Sequence, residues 1–247
     1  MIKLKSEEEI KLMAEGGKIL NFTIMEVVRQ IKPGITTYEL DKIAERILRG
    51  RGAEPSFLNY QGFPNSTCIS INDEVVHGIP GKRVIKVGDI VKIDLGSYYK
   101  GFHTDKALTH VVGRSNEETK RLVMGCKKAL EIAISQVTPG KTIGDIEYAT
   151  GRVLFEHNLG PVMTLTGHGI GREIHEPPSI FCNGKRRDKE KLKKGMVLAI
   201  EPMATLGSGK VRTKSDNWTI ISEDHSNAAH FEDTIAVCES GCKVLTR

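Results

Sequence analysis

Apolar residues recur at helical spacing through Ile10, Met13, Leu20, Ile24, Val27 and Val28, and the pattern stops before Lys32-Pro33-Gly34. Ser6 and Glu9 precede it as S-x-x-E, a capping box. Proline disfavours helix in the residue before it, which marks the stop. The pattern predicts a long first helix. Thr36 and Glu39 form a second capping box, opening a helix that ends near Gly50. Ser115 and Glu118 form a third, opening a helix to about Val137, and a fourth helix is predicted from Thr142 to about His157. Short apolar runs elsewhere read as strands: Cys68–Asn72, Val91–Leu95, and Phe102–Val111 as its hairpin partner. The last third adds Met163–Leu165, Met196–Ile200, Trp218–Ile221 and Phe231–Val237.

One stretch repeats. Ile31-Lys32-Pro33-Gly34-Ile35-Thr36 and Val137-Thr138-Pro139-Gly140-Lys141-Thr142 each follow a longer helix and precede a shorter one, and strands come next. Pro-Gly is common at helix ends, but the matching order of elements predicts two related α/β halves, about 6–112 and 113–247, in one catalytic domain over 1–247. Ligands from both halves could then converge between them.

The 247 residues suffice for a substantial core, and 39% hydrophobic with 27% charged residues is the composition of a globular chain. A net charge of +5 is too small an excess to argue for nucleic-acid binding by itself. Five cysteines without framework spacing suggest a reducing cytosol; Cys238 and Cys242 read as free thiols. The start MIKLKSEEEI has no apolar signal core, and no stretch approaches a membrane span. These features predict a cytoplasmic protein without a membrane partner. The run from Lys185 to Lys194 reads first as a solvated loop.

Charged residues interrupt several of the apolar runs. Asp94 lies in VKIDLG, Asp105 in FHTDKA, Glu201 ends LAIEPM and Glu232 lies in HFEDTIAV, where it reads as a strand residue. His168 sits between glycines in LTGHGIG, which permit close backbone approach. Four carboxylates in one cleft raise one another's pKa unless cations offset them. Four carboxylates and one imidazole therefore suit two divalent ions about 3.5–4 Å apart, the arrangement of a two-metal hydrolytic site. A hairpin turning at Tyr99-Lys100 would place Asp94 directly opposite Asp105. His77 and His175 are candidates for stabilising an oxyanion beside such a centre. His103, His110, His157, His225 and His230 have no comparable context and read as non-ligands.

The run from Asn65 to Pro80, the two aspartates, GHGIG, IHEPP, AIEPM and FEDTIAV occur in one order that resembles the type I methionine aminopeptidases of the pita-bread fold. The resemblance spans nearly the whole chain. It implies an α+β architecture of two pseudo-symmetric halves, with a central antiparallel sheet and outer helices. It implies removal of initiator methionine from nascent polypeptides. Asp94 would bind one metal, His168 and Glu201 the other, and Asp105 and Glu232 would bridge. Glu201 would be the general base, with His77 and His175 orienting the substrate and stabilising the tetrahedral intermediate. The matching positions of the methionine pocket are Tyr60, Phe63, Cys68, Ile174 and Trp218; an apolar pocket with one sulfur suits a thioether. Two ions of Co, Mn, Fe or Zn are the implied cofactors. The family's role makes the ribosome near its exit tunnel a partner for the 185–194 run; the protein is expected to be a monomer and to start directly at its catalytic domain.

Three positions depart from the pattern: Asp233 where histidine is usual, His230 where glutamine is usual, and Lys106 where a small residue is usual. Strand alternation points Lys106 and Asp233 away from the ligands. Glu232-Asp233-Thr234 resembles the related proline-specific peptidases, so an X-Pro peptidase of the same fold is one alternative. A non-catalytic binding protein that keeps the fold is the other, though such a protein would be expected to lose ligands.

Overall fold

The computed structural model describes residues 2–247. The chain runs through α1 (Glu7–Gln30) and α2 (Thr37–Gly50), then β1 (Glu54–Pro55), β2 (Cys68–Ile71) and β3 (Glu74–Val76). The hairpin β4 (Ile90–Tyr99) and β5 (Phe102–Val111) follows. A second helix pair, α3 (Glu117–Ser135) and α4 (Ile143–Glu156), leads to β6 (Gly160–Pro161), β7 (Thr166–Gly169), β8 (Glu176–Phe181) and β9 (Val197–Ile200). The remainder is β10 (Met203–Thr205), β11 (Val211–Thr213), β12 (Ile220–Ser222), β13 (Ala228–His230), β14 (Asp233–Val237) and β15 (Cys242–Val244).

The capping boxes at Ser6/Glu9 and Thr36/Glu39 are both formed. At α3 the cap is Asn116, whose side chain accepts from the Thr119 amide, so the predicted Ser115 box is not used. Thr142 caps α4. Met163–Leu165 is not a strand; the pairing falls on either side of it, at β6 and β7. The predicted strand 231–237 is split. Residues Phe231 and Glu232 separate β13 from β14, and Glu232 makes only an isolated bridge, to Ala107.

β4 pairs with β5 along one side and with β2 and β1 along the other, all antiparallel. A second sheet has the order β15-β14-β9-β7-β8. Helices α1 and α2 bury Leu20, Ile24, Val27, Leu40, Ala44 and Leu48 against Ile69, Val91 and Ile93 of the first sheet. Helices α3 and α4 bury Leu122, Cys126, Leu130, Ile146 and Leu154 against Leu198, Ile200 and Ile235 of the second. The helices are thus outside and the sheets inside. The two sheets meet where β5 approaches β14: the Asp105 amide donates to Thr234 Oγ1 at 2.8 Å, and that hydroxyl donates to the Asp105 carbonyl at 2.8 Å. Helix α1 also lies against the end of the chain's last strand. A Cβ on Gly17 would stand 2.2 Å from the Leu245 carbonyl oxygen, so only glycine permits the approach. No helix among the described residues is long and apolar enough to cross a membrane.

Candidate metal centre

The seam between the sheets carries the acidic residues. In the hairpin, Tyr99 pairs with Phe102, Asp94 with Ala107 and Gly96 with Asp105. The turn is therefore Lys100-Gly101, not Tyr99-Lys100, and Asp94 and Asp105 are diagonal rather than directly opposed. The reason is local. A two-residue type I′ turn needs positive φ at both central positions, and Lys100 (φ 48°) and Gly101 (φ 90°) supply it. Diagonal neighbours still share one face of the sheet, and the two carboxyls remain in contact.

His168 stands in β7 between two glycines whose absent side chains leave room for neighbouring backbone. A Cβ at Gly167 would be 2.5 Å from the Ala199 carbonyl oxygen, and one at Gly169 2.2 Å from that of Pro177. Glu201 follows β9 directly, and Glu232 lies in the break between β13 and β14. The five side chains border one cavity. Asp105, His168 and Glu232 each present an atom within 4.8 Å of the others.

Burial dominates the electrostatics. It pushes Asp94, Glu201 and Glu232 well above the usual carboxylate range, with repulsion from Asp105 adding to the rise in each. Burial likewise raises Asp105 to about 7. It lowers His168 to about 3 and His77 to about 4, His175 adding to each, and it lowers His175 as well. Asp94 Oδ1 and Glu232 Oε1 are buried without a hydrogen-bond partner among the described residues. Buried, unpartnered carboxylate oxygens are costly. Divalent cations would compensate these two oxygens and the two further carboxylates beside them, so the donor set fits a metal centre. His168 Nδ1 faces the Gly169 carbonyl at 2.8 Å, which only an N–H can satisfy. Its Nε2 is thereby left with a lone pair, the ligating form, 3.6 Å from Glu201 Oε1.

The upper wall is apolar. Phe63 meets Trp218 edge-on at 5.2 Å, and Phe57, Tyr60 and Cys68 complete the lining. Phe57 and Gln61 also line the cavity; Phe57 sits in irregular chain and Gln61 in a single 3-10 turn over Tyr60–Gly62, too short for periodicity to mark a face. Ile174 packs into the same apolar cluster but does not border the cavity. His77, held at φ 58°, and His175 border it near the carboxylates. Gln61 Nε2 donates to Tyr60 Oη at 3.2 Å, and Tyr60 Oη lies 2.9 Å from His175 Nδ1. With the tyrosine hydroxyl donating, His175 carries its proton on Nε2.

The departures resolve into contacts. Lys106 Nζ donates to Asp233 Oδ1 at 2.6 Å, and Thr246 Oγ1 and Arg247 Nε donate to the same carboxylate, each at 2.8 Å. Lys106 and Asp233 thus pair with each other, away from the ligands. His230 is different: it is buried, and its Nε2 lies 3.3 Å from Glu201 Oε2. Burial lowers it to about 3, with His77 and Lys92 contributing. The 185–194 run is tied to the start of α4: the Ile143 amide donates to the Glu190 carbonyl at 3.0 Å and the Gly144 amide to that of Asp188 at 3.1 Å.

The sequence pattern of metallopeptidase family M24 matches residues 11–239. Methionine aminopeptidase 1 of Bacillus subtilis (strain 168) is 43% identical over 247 residues, covering 100% of both chains. The crystal structure of methionine aminopeptidase from Thermotoga maritima superposes with a TM-score of 0.98 at 39% identity, again over 100% of both chains. The prolidase from Pyrococcus furiosus has a TM-score of 0.81 at 28% identity; the match covers 99% of this chain but 65% of the prolidase. The architecture is therefore the pita-bread fold, as the order of motifs implies.

Proposed function

Since the chain belongs to metallopeptidase family M24, we propose that it is a methionyl aminopeptidase, removing N-terminal methionine from peptides and nascent polypeptides with divalent metal ions held by Asp94, Asp105, His168, Glu201 and Glu232. The observation that carries this reading is the convergence of these five donors on one cavity whose far wall is apolar. The proposed arrangement uses two ions, of Mn, Fe, Co or Zn: one bound by Asp94, the other by His168 and Glu201, with Asp105 and Glu232 between. Bound there, divalent ions would acidify water toward neutrality and polarise a peptide carbonyl.

The chain's own groups supply the rest. Glu201 is the general base, its carboxylate accepting a proton as water attacks the scissile carbonyl. His175 Nε2–H, fixed by the Gln61–Tyr60 relay, donates to the developing oxyanion, and His77 helps orient the substrate. Phe63, Cys68, Trp218 and Tyr60 receive the methionine side chain, with Phe57 beside them and Ile174 behind. Small residues are expected after the methionine, because the centre and the cleft wall limit the space there. A reducing, cytoplasmic setting fits five free cysteines, and the proposed working form is a monomer. Docking near the ribosomal exit tunnel would use the 185–194 run. Charge reversal at Arg186 and Arg187 is expected to weaken salt-dependent ribosome binding, and unchanged binding removes that partner.

The test is hydrolysis of Met-Ala-Ser by chelated protein, with and without added Mn, Co or Fe, beside His168→Ala and Ala-Pro as a competing substrate. Metal-dependent methionine release that His168→Ala lacks is the expected result. Glu201→Gln is expected to lower kcat by roughly 10²–10⁴-fold. Cleavage of Ala-Pro but not Met-Ala-Ser would assign an X-Pro peptidase instead. Metal uptake without hydrolysis of either substrate would leave a binding protein.

A further inference from the structure

His230 ends β13 and is 1% exposed, yet neither ring nitrogen has a hydrogen-bond partner among the described residues. Buried imidazoles without partners are costly. The other buried side-chain atoms in that condition are Ser66 Oγ, Asp94 Oδ1 and Glu232 Oε1, and the last two belong to the metal-ligand set. His230 therefore shares the condition of groups that await a cation.

His230 does not border the cavity itself, but its ring lies against the Glu201 carboxylate, which does. Glu201 presents Oε1 to His168 and Oε2 to His230, at 3.6 and 3.3 Å. The His230 contact lacks hydrogen-bond geometry, which leaves the ring aimed at the carboxylate without a bond to it. Glu201, His230 and Glu232 together present three donor atoms within 4.8 Å of one another. That spread approximates the separation of donors placed around one first-row ion at bond lengths of about 2.0–2.2 Å. The backbone is held in place: the His230 amide donates to Thr109 Oγ1 at 3.0 Å, and that hydroxyl donates to the His230 carbonyl at 2.7 Å. These bonds fix where the residue sits on its strand, while the ring itself carries no hydrogen bond.

We propose that His230 is a sixth protein ligand of the centre, an imidazole donor to the ion bound on the Glu201 side. The proposal rests on the metallopeptidase reading above. Two imidazoles on that side make it nitrogen-rich, which favours Co, Fe or Zn over the more oxygen-preferring Mn.

The test counts imidazoles. Metal-free protein is titrated with Co(II) while proton NMR follows exchangeable imidazole N–H signals shifted far outside the diamagnetic range. The native protein is expected to show two such signals. His230→Gln should retain one, with Co(II) binding weakened by about tenfold to a hundredfold, and His168→Asn should lose the other. A single signal in the native protein would overturn the proposal. So would two signals and unchanged Co(II) affinity in a His230→Gln variant whose circular dichroism is native. Should the variant not fold, the native count decides alone. A native protein that takes up no Co(II) would instead remove the metallopeptidase reading itself.

Discussion

Lys92 lies in the middle of β4, 1% exposed, with Nζ donating to the Asn72 carbonyl at 2.8 Å and the Ile90 carbonyl at 3.2 Å. Burial lowers its pKa to about 7, with Glu74 pulling the other way. An unfolded lysine titrates near 10.4. Between about pH 7 and that value the unfolded chain binds more protons than the folded one, so this residue's contribution to stability rises with pH across the window and is flat below it. Both carbonyls keep other donors, the Ala228 amide on Asn72 and the Asn72 amide on Ile90, each at 2.9 Å. Lys92→Met is therefore expected to stabilise the fold by about 1–3 kcal/mol below pH 7, the gain shrinking toward pH 10. Urea unfolding at pH 6 and 9.5 checks this; an equal gain at both would contradict it. The same residue shows how far single positions could be read from the sequence. A charge interrupting VKIDLG picked out Asp94 as a ligand, yet Lys92, two positions earlier, interrupts the same run and is satisfied by backbone. The interruption signals a buried charge but not its partner. His230 and Phe57 lay beyond such reading, because their neighbours come from distant segments.

Between elements, the Lys106–Asp233 pair joins β5 to β14 across the seam. Removing one partner of a buried pair costs about 3–5 kcal/mol, because the other charge is stranded. Lys106→Ala is expected to fall at or below the low end of that range, since Arg247 and Thr246 still serve Asp233. The double variant Lys106→Ala/Asp233→His should cost less than the two single changes summed, a coupling of about 0.5–3 kcal/mol. Strict additivity in denaturant unfolding would rule the coupling out. Alternation alone turns both side chains away from the ligands, but it does not show them meeting each other. Hairpin register has a similar limit. The apolar pattern fixed which face Asp94 and Asp105 share, while the actual opposition depended on which two residues, Lys100 and Gly101, adopt positive φ. The Ser/Thr-x-x-Glu pattern located the boxes at Ser6 and Thr36, but at Ser115 it misled, because Asn116 caps α3.

For the whole molecule, metal and fold are linked. Four carboxylates, three of them buried and Glu201 half-buried, crowd one cavity, so cation binding should stabilise the native state. At a concentration 100 times Kd, one ion contributes about 2.7 kcal/mol, which in a chain of this size corresponds to roughly 5–10 °C in Tm. Chelation is expected to lower Tm by that order and added Co(II) or Mn(II) to restore it, read by calorimetry; a Tm indifferent to both would mean the site is not coupled to folding. The overall architecture was legible because the ligand motifs recur in a fixed order, whereas the division into separate small sheets was not, since breaks such as that at Glu232 have no local signature. The contact of Gly17 with Leu245 carries a kinetic consequence. It closes a loop of 245 − 17 = 228 residues, and contacts so distant in sequence form late, after nearer ones have offset the entropy of closure. The first helix should dock onto that segment on the downhill side of the folding barrier. A methyl group added by Gly17→Ala should then speed unfolding while leaving the refolding rate nearly unchanged, a division that stopped-flow chevrons would display as a shift of one arm alone.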